Sequence, residues 1–329
     1  MKYWGKYGLQ LPRNPSLSFT LSASVSHTTV TCIPNIGKGN HVNIEFYLDK
    51  EPNEKFGSRI SKWLDTLTLE FPFLNDFTLH IETSNTFPHS SGIASSASGL
   101  SALALCLCDL QEQISGIAFE RVEFYKRAST VARLGSGSAS RSVFPFMSVW
   151  GFSPDVPDSS DEYAIAIEPL DVFRTYHDAI LIVNPKEKSV SSSVGHSLME
   201  GNPFAEARYK QANDHLALLL NAMDKSDVHA FGKIAEQEAL TLHALMMCSD
   251  PSFILMKGNT LLMIDKIRSF RKDTSIPAYF TLDAGPNVHL LYPQEYSSEV
   301  HQFIETELRS LCHNGFIIWD KVGSGPSRL

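Results

Sequence analysis

Pro88-His89-Ser90-Ser91-Gly92-Ile93-Ala94-Ser95-Ser96-Ala97-Ser98-Gly99 is the stretch whose reading decides the fold. Before it, Phe77 to Thr83 alternates apolar and polar residues as a half-buried strand does. After it, Leu100 to Leu110 is almost entirely apolar or small and predicts a helix buried on all sides. A small-residue loop between such elements presents unsatisfied backbone N–H groups, with their partial positive charge, at the helix start. Glycine lets an anion come close, and the serine hydroxyls add donors. The loop predicts a phosphate cradle, although the same composition also suits a tight turn that packs the helix on a sheet.

The chain around this loop has 329 residues, enough for about two domains of ordinary size. With 43% hydrophobic and 19% charged residues, it has a globular composition. The net charge of −8 argues against a basic nucleic-acid surface, while a few cations gathered in one cleft would still hold a phosphorylated metabolite. Cys32, Cys106, Cys108, Cys248 and Cys312 form no Cys-x-x-Cys pair, so neither a disulfide framework nor a zinc ribbon is expected. No signal peptide and no apolar run long enough for a bilayer is read, which predicts a cytoplasmic protein without a membrane partner.

Met1 to Gly8 places two lysines and three aromatics together, either a strand end with solvated lysines or a set of groups aimed at phosphate oxygens. Strands are expected at Ser26 to Cys32 and Val42 to Leu48, and a helix over Ile60 to Leu67. A second helix, Glu120 to Leu134, offers Val122, Phe124, Tyr125, Ala128 and Val131 to a core. Gly135-Ser136-Gly137-Ser138-Ala139-Ser140-Arg141-Ser142 then interrupts the helical run before an apolar strand, Val143 to Gly151. It is rich in donors and has no acidic side chain. The planar fork of Arg141 pairs with a carboxylate or phosphate through two parallel bonds, which a plain surface turn does not need. The acidic, turn-rich Pro154 to Glu162 reads as a solvated loop rather than a Mg²⁺ site.

In the second half, Ala164 to Ile167 and Ala179 to Val183 are expected strands, with the domain boundary between them. Ala205 to Met223, Val228 to Met247 and Phe253 to Phe270 are expected helices. His215, His229 and His243 lack metal-pair spacing and read as core or boundary histidines; Glu236 and Glu238 read as solvated. Asp283-Ala284-Gly285-Pro286-Asn287 joins the strands Ala278 to Leu282 and Val288 to Tyr292. Its residues suit a hairpin, yet an Asp at a strand end facing a cleft also suits a general base.

The first loop resembles the ATP loop of the superfamily of galactokinase, homoserine kinase, mevalonate kinase and phosphomevalonate kinase, with Ala94 in place of the middle glycine as in its decarboxylase branch. Lys2-Tyr3-Trp4-Gly5-Lys6, the Pro12 to Leu21 segment, the Arg141 loop, Asp283 to Asn287 and the closing Gly323-Ser324-Gly325-Pro326 are similar to motifs of mevalonate diphosphate decarboxylases. Lys188 to Gly195 resembles another, with Ser192 at its substrate serine, Ser193 where some relatives carry arginine, and His196 where the family has Met. Family members have a strand with an Asn-Ile-Ala run ahead of this lysine, whereas this sequence starts at Met1, as if that strand were absent or the start codon misassigned.

The resemblance implies an α+β, two-domain fold of the GHMP-kinase type. Antiparallel-rich sheets pack with helices, and the active site lies in the cleft between the domains. Residues 1–175 would form the ATP-binding domain, residues 176–329 the C-terminal domain, and the extreme C-terminus would pack back on the first. It implies ATP-dependent decarboxylation of mevalonate 5-diphosphate with Mg²⁺, by a cytoplasmic homodimer. Implied roles are catalysis for Asp283, Arg141 and Lys2, and a phosphate cradle from Ser91, Gly92, Ala94, Ser95 and Ser96. Tyr3, Lys6 and Ser192 would take the substrate diphosphate, and Ser136 and Ser138 would line the reacting centre beside Arg141. A monophosphate-specific decarboxylase, a kinase that stops after phosphorylation, and a non-catalytic ligand sensor are the alternatives.

Overall fold

The computed structural model describes residues 1–35, 41–88, 95–185 and 192–328, without the side chains of Ser192 and Ser193. Its N-terminal half is built on the strand Phe77–Asn85. This strand pairs antiparallel with Ser26–Pro34 and parallel with Ile44–Leu48, and Glu51–Pro52 forms the far edge. Leu79 and Ile81, two apart and so on one face, share a core with Leu103, Ala104 and Leu107 of the helix Ser95–Ser115. No residue of 100–110 is exposed. Burying each such leucine stabilises the fold by roughly 1.5–3 kcal/mol.

Helix Glu54–Asp65 begins where the Asn53 side chain accepts from the Phe56 N–H at 3.1 Å, and it gives Trp63 and Leu64 to the same core. Helix Arg121–Gly135 contributes Phe124, Ala128 and Val131. Val122 was expected among them but is 82% exposed. Two residues are about 200° of helical turn, so Val122 faces away from the side that Phe124 buries.

A second sheet joins Ser16–Phe19, Met147–Trp150 and Ala164–Ile167, all antiparallel. The strand expected from Val143 begins only at Met147. Pro145 has no N–H to give a ladder, and Phe146 takes a positive φ of 51°. The third sheet runs Tyr279–Leu282, Val288–Tyr292, His177–Leu181 and Ile317–Lys321, again antiparallel throughout. The strand expected at Ala179 to Val183 thus lies two residues earlier.

Helices Ala205–Asp224, Val228–Met247 and Gly258–Thr274 accompany this sheet. The last was expected from Phe253. It starts later because the Lys257 N–H is held by Thr260 Oγ1 at 3.1 Å, while that hydroxyl donates to the Pro286 carbonyl at 2.7 Å.

The halves meet across a core that includes Leu17, Met147 and Phe173 from the first and Leu216, Phe231 and Leu291 from the second. Past the last strand the chain returns to the first half. Leu21 bridges Val322, the Phe146 N–H donates to the Gly323 carbonyl at 3.0 Å, and the Gly323 N–H donates to Thr20 at 2.8 Å. The result is an α+β fold with antiparallel-rich sheets.

Candidate active site

Asp283 directly follows the strand Tyr279–Leu282, and its turn is pinned on several sides. Asn287 Oδ1 accepts from the Val183 and Asn184 N–H groups, each at 2.9 Å. Thr260 holds Pro286, and the Gly285 N–H and His243 Nε2 stand 2.7 and 3.1 Å from the Asp283 carbonyl. Burial holds the His243 imidazole down at about 4, further lowered by the Lys2 charge against the opposing pull of Asp283. Neutral His243 therefore donates from Nε2 to that carbonyl. So fixed, the Asp283 carboxylate meets Lys2 Nζ at 2.5 Å. Their side chains are 39% and 19% exposed, which leaves the pair open to a ligand.

The Arg141 loop lies across from them. It forms the short helix Gly137–Arg141, and Gly137 is needed because a Cβ there would sit 2.7 Å from the Trp150 ring. Ser140 is buried, its hydroxyl on the Gly137 carbonyl and its carbonyl on the Ser129 hydroxyl. The Arg141 guanidinium lies 5.5 Å from the centre of the Tyr3 ring. Burial lowers its pKa, opposed by Tyr3 and Asp283, and its Nε has no partner among the described residues.

The Tyr3 phenol is raised by burial, although Arg141 and hydrogen bonds from Ser138 act the other way. Its ring is stacked on His196 at 4.6 Å and edge-on to Trp150 at 4.8 Å. His196 Nδ1 accepts the Gly5 N–H at 3.1 Å. Burial, followed by the charges of Lys6 and Arg141, holds this imidazole at about 3. Gly5 has φ +91°, and a side chain there would run into the Tyr209 hydroxyl. Lys6 follows on the hairpin strand Lys6–Tyr7, donates to Gln10 at 2.6 Å and is lowered by burial.

Lys2, Tyr3, Lys6, Ser138, Arg141 and Asp283 therefore lie near one another, linked through Tyr3, His196 and the Lys2–Asp283 pair. Ser136 ends the helix Arg121–Gly135, its N–H on Ala132, and among the described contacts none ties it to Lys2 or Asp283. Ser91, Gly92 and Ala94 lie outside the described residues, as does the Ser192 side chain. Ser95 and Ser96 open the helix Ser95–Ser115 and line a mostly apolar pocket with Phe46, Phe56, Arg59, Trp63 and Asn85. Trp63 Nε1 is buried there without a partner among the described residues. Sequence reading missed this pocket, because its walls come from elements far apart in the chain.

It also missed the buried charges. Glu236 and Glu238, expected to be solvated, are both buried. Glu236 pairs with Arg271 at 2.8 Å and Glu238 with Arg208 at 2.7 Å. A signal was present. Glu238 shares the 3–4 spacing of Ala235, Ala239 and Leu242, and Arg208 that of Ala205 and Ala212, so each charge occupies a core position. Among the described residues, no three His, Cys, Asp or Glu side chains gather as a metal site, and no helix is long and apolar enough to cross a membrane.

Residues 1–162 match the diphosphomevalonate decarboxylase-like N-terminal domain, and residues 179–327 the mevalonate 5-diphosphate decarboxylase C-terminal domain. The chain is 30% identical over 326 residues to the diphosphomevalonate decarboxylase of Ganoderma lucidum, covering 92% of this chain and 78% of that protein. The mevalonate diphosphate decarboxylase of Staphylococcus aureus superposes with a TM-score of 0.84 at 28% identity, over 98% of this chain and 92% of the other. That of Enterococcus faecalis does so with a TM-score of 0.81 at 27% identity, over 98% and 93%. A further structure, of a protein in complex with MVAPP, AMPPCP and magnesium, gives a TM-score of 0.82 at 29% identity, over 98% and 93%. In sequence along its length and in fold, the chain belongs to the diphosphomevalonate decarboxylase family.

Proposed function

We propose that this protein catalyses the ATP-dependent decarboxylation of mevalonate 5-diphosphate to isopentenyl diphosphate, releasing ADP, phosphate and CO₂. The observation that carries the reading is the Lys2–Asp283 pair with the half-buried Arg141 near enough to feel the Asp283 charge, its Nε without a partner among the described residues. A tertiary hydroxyl is a poor leaving group, and ATP supplies the phosphoryl that turns it into a good one. Asp283 accepts the hydroxyl proton as the oxygen attacks, and the adjacent Lys2 ammonium keeps the carboxylate oriented. Arg141, already desolvated, clamps the substrate carboxylate so that the scissile bond is aligned, an effect of orientation. As phosphate leaves carbon 3, the electrons of the carboxylate bond form the new double bond and CO₂ departs. Tyr3, fixed by Ser138 and His196, takes the diphosphate with Lys6 and Ser192, and Ser136 and Ser138 border the reacting centre.

The nucleotide fits the pocket beside Ser95 and Ser96. Its apolar walls and the orphan Trp63 Nε1 suit a base, and the helix start, with Ser91, Gly92 and Ala94 ahead of it, suits phosphates. Mg²⁺ commonly takes one or two carboxylates together with substrate phosphates, so the ion fits here as one carried in with ATP. The same reading includes a domain division at 175/176 and a cytoplasmic homodimer. The gap between the two family matches supports the division, and five free thiols support a reducing compartment.

The test is a paired assay with mevalonate 5-diphosphate, ATP and Mg²⁺ that follows ADP and labelled CO₂. Equal amounts are expected. ADP without CO₂ makes the protein a kinase, and turnover of the monophosphate alone reassigns the substrate.

A further inference from the structure

Arg208 and Glu238 stand on successive helices, Ala205–Asp224 and Val228–Met247, with both side chains almost wholly out of solvent. They form a two-pronged pair: Arg208 Nη1 donates to Oε1 and Nη2 to Oε2, each at 2.7 Å. His215 Nδ1 lies 2.6 Å from Oε1. Burial alone would drive the Glu238 carboxyl upward. Hydrogen bonds from Arg208 and His215, with the Arg208 charge, outweigh it and hold the group at about 2.

Stability alone does not explain such a pair. Desolvating two charges cancels much of their attraction, and packed apolar residues in their place are often neutral or better. The pair has a second set of contacts, all to the backbone of Lys2. Glu238 Oε2 accepts the Lys2 N–H at 3.0 Å, and Arg208 Nη2 donates to the Lys2 carbonyl at 2.6 Å. Asn14 Nδ2 shares that carbonyl at 3.1 Å. Residue 2 lies outside every helix and strand, since the first strand begins at Lys6. Both backbone polar groups of the residue whose ammonium meets Asp283 therefore end on this one ion pair.

We infer that Arg208 and Glu238 are positioning residues, which clamp the Lys2 backbone from the two helices and so set its ammonium against Asp283. The inference rests on the decarboxylase reading, because turnover is what it affects. Neither side chain need touch substrate: a rigid pair, with Asn14 beside it, grips a segment outside every helix and strand, and the Lys2 side chain reaches Asp283 from there. A carboxylate and a guanidinium are both required, because the gripped residue offers one donor and one acceptor.

The experiment replaces both charges at once, Glu238→Leu with Arg208→Met, in the full chain. This leaves no orphaned buried charge. Thermal midpoint, ATP affinity, KM for each substrate and kcat are measured beside the parent. The expected result is a folded variant whose midpoint stays near the parent's, with KM for ATP within two-fold and kcat lowered at least ten-fold. A folded variant with kcat within two-fold of the parent overturns the inference. So does a loss of kcat matched by an equal loss of ATP-binding-competent protein, since that is what a merely structural pair would give. If the double variant does not fold, E238Q and R208K are read by the same criteria. A parent that forms no CO₂ from mevalonate 5-diphosphate counts against the proposed function. A parent that turns over while the folded variants match it counts against the clamp alone.

Discussion

Lys2 and Asp283 are 281 positions apart in the chain and 2.5 Å apart in the fold. Removing the carboxylate tests what that contact is for. A positioned general base contributes about 10²–10⁴-fold to a rate. Asp283→Ala should therefore lower kcat by roughly that factor, while ATP affinity, which the proposed nucleotide pocket beside Ser95 would set, should change less than two-fold. Single-turnover kinetics with a nucleotide-binding titration decide it, and turnover within a few-fold of the parent removes Asp283 from the mechanism. The two neutral histidines make a different prediction. In the unfolded chain each titrates at its ordinary 6.5, whereas in the folded protein His196 and His243 hold off protonation to about 3 and 4. Between these values the unfolded state binds more protons, so stability falls as pH drops below about 6.5. His289 acts in the opposite sense in another window. Raised overall by Asp178 against its burial, it gives stability that is present below 6.5 and lost as pH rises through its folded value. From pH 6.5 to 5 the two lowered rings together should cost on the order of 3 kcal/mol. Urea unfolding at the two pH values measures it, and an unchanged midpoint would mean that the rings are not held neutral.

Among the elements, the small helix Gly137–Arg141 carries the most chemistry on the least chain. It packs against Trp150, which is fully buried and has its indole N–H on the Asp161 carbonyl at 2.9 Å. That ring has nowhere to move. A Cβ at Gly137 would lie 2.7 Å from it, so Gly137→Ala should cost about 1–3 kcal/mol through overpacking and displace Ser138 and Arg141. A fall in thermal midpoint with at least a ten-fold rise in KM for the decarboxylated substrate is expected. Gly258→Ala, where a Cβ meets nothing within 4 Å, serves as the silent comparison. A Gly137→Ala protein with unchanged KM would show that the loop's position is not set there. This element was legible in the sequence through Arg141, because Ser and Gly between a helix and an apolar run also suit a plain surface turn, whereas such a turn does not need the arginine fork. The amphipathic helices were legible too, and Val228–Met247 matches its expected limits. What local pattern could not give was anything decided by a distant partner. The late start at Gly258 depends on Thr260 reaching Pro286, and the partner that the core position of Glu238 finds is Arg208, 30 positions away, whereas the late strand at Met147 was written locally in Pro145 and Phe146. The cleft follows the same division: Asp283, Arg141 and Lys2 were visible as motifs, while the groups that hold them, His243, His196 and the Arg208–Glu238 pair, were not.

For the molecule as a whole, the chemistry requires two halves with largely separate cores to keep one register, since Lys2 and Arg141 come from the first and Asp283 from the second. One buried carboxylate does much of this. Asp320, on the strand Ile317–Lys321 of the second half's sheet, accepts the Ser22 N–H at 2.9 Å and the Ala23 and Ser24 N–H groups at 2.8 Å each, besides its neighbour Lys321. A whole turn of the first half is thus hung on one side chain of the second, directly beside the bridge from Leu21 to Val322. Asp320→Ala leaves the Ala23 N–H and the buried Ser24 N–H without this acceptor, while the Ser22 N–H keeps the Lys321 carbonyl at 3.0 Å; a buried unmet donor costs about 1–3 kcal/mol, so a loss in that range is expected. The shape of the unfolding is more telling than the amount. With the stitch intact, the halves should melt as one cooperative unit; without it, the remaining shared core around Leu17, Phe231 and Leu291 should no longer couple them, and calorimetry should resolve two transitions. In the temperature range where both halves are still folded, kcat should already be lowered, because the distance from Lys2 to Asp283 is then free to vary. A variant within 1 kcal/mol of the parent, melting in one step with full turnover, would place the coupling in the apolar interface alone and leave Asp320 as an ordinary turn cap.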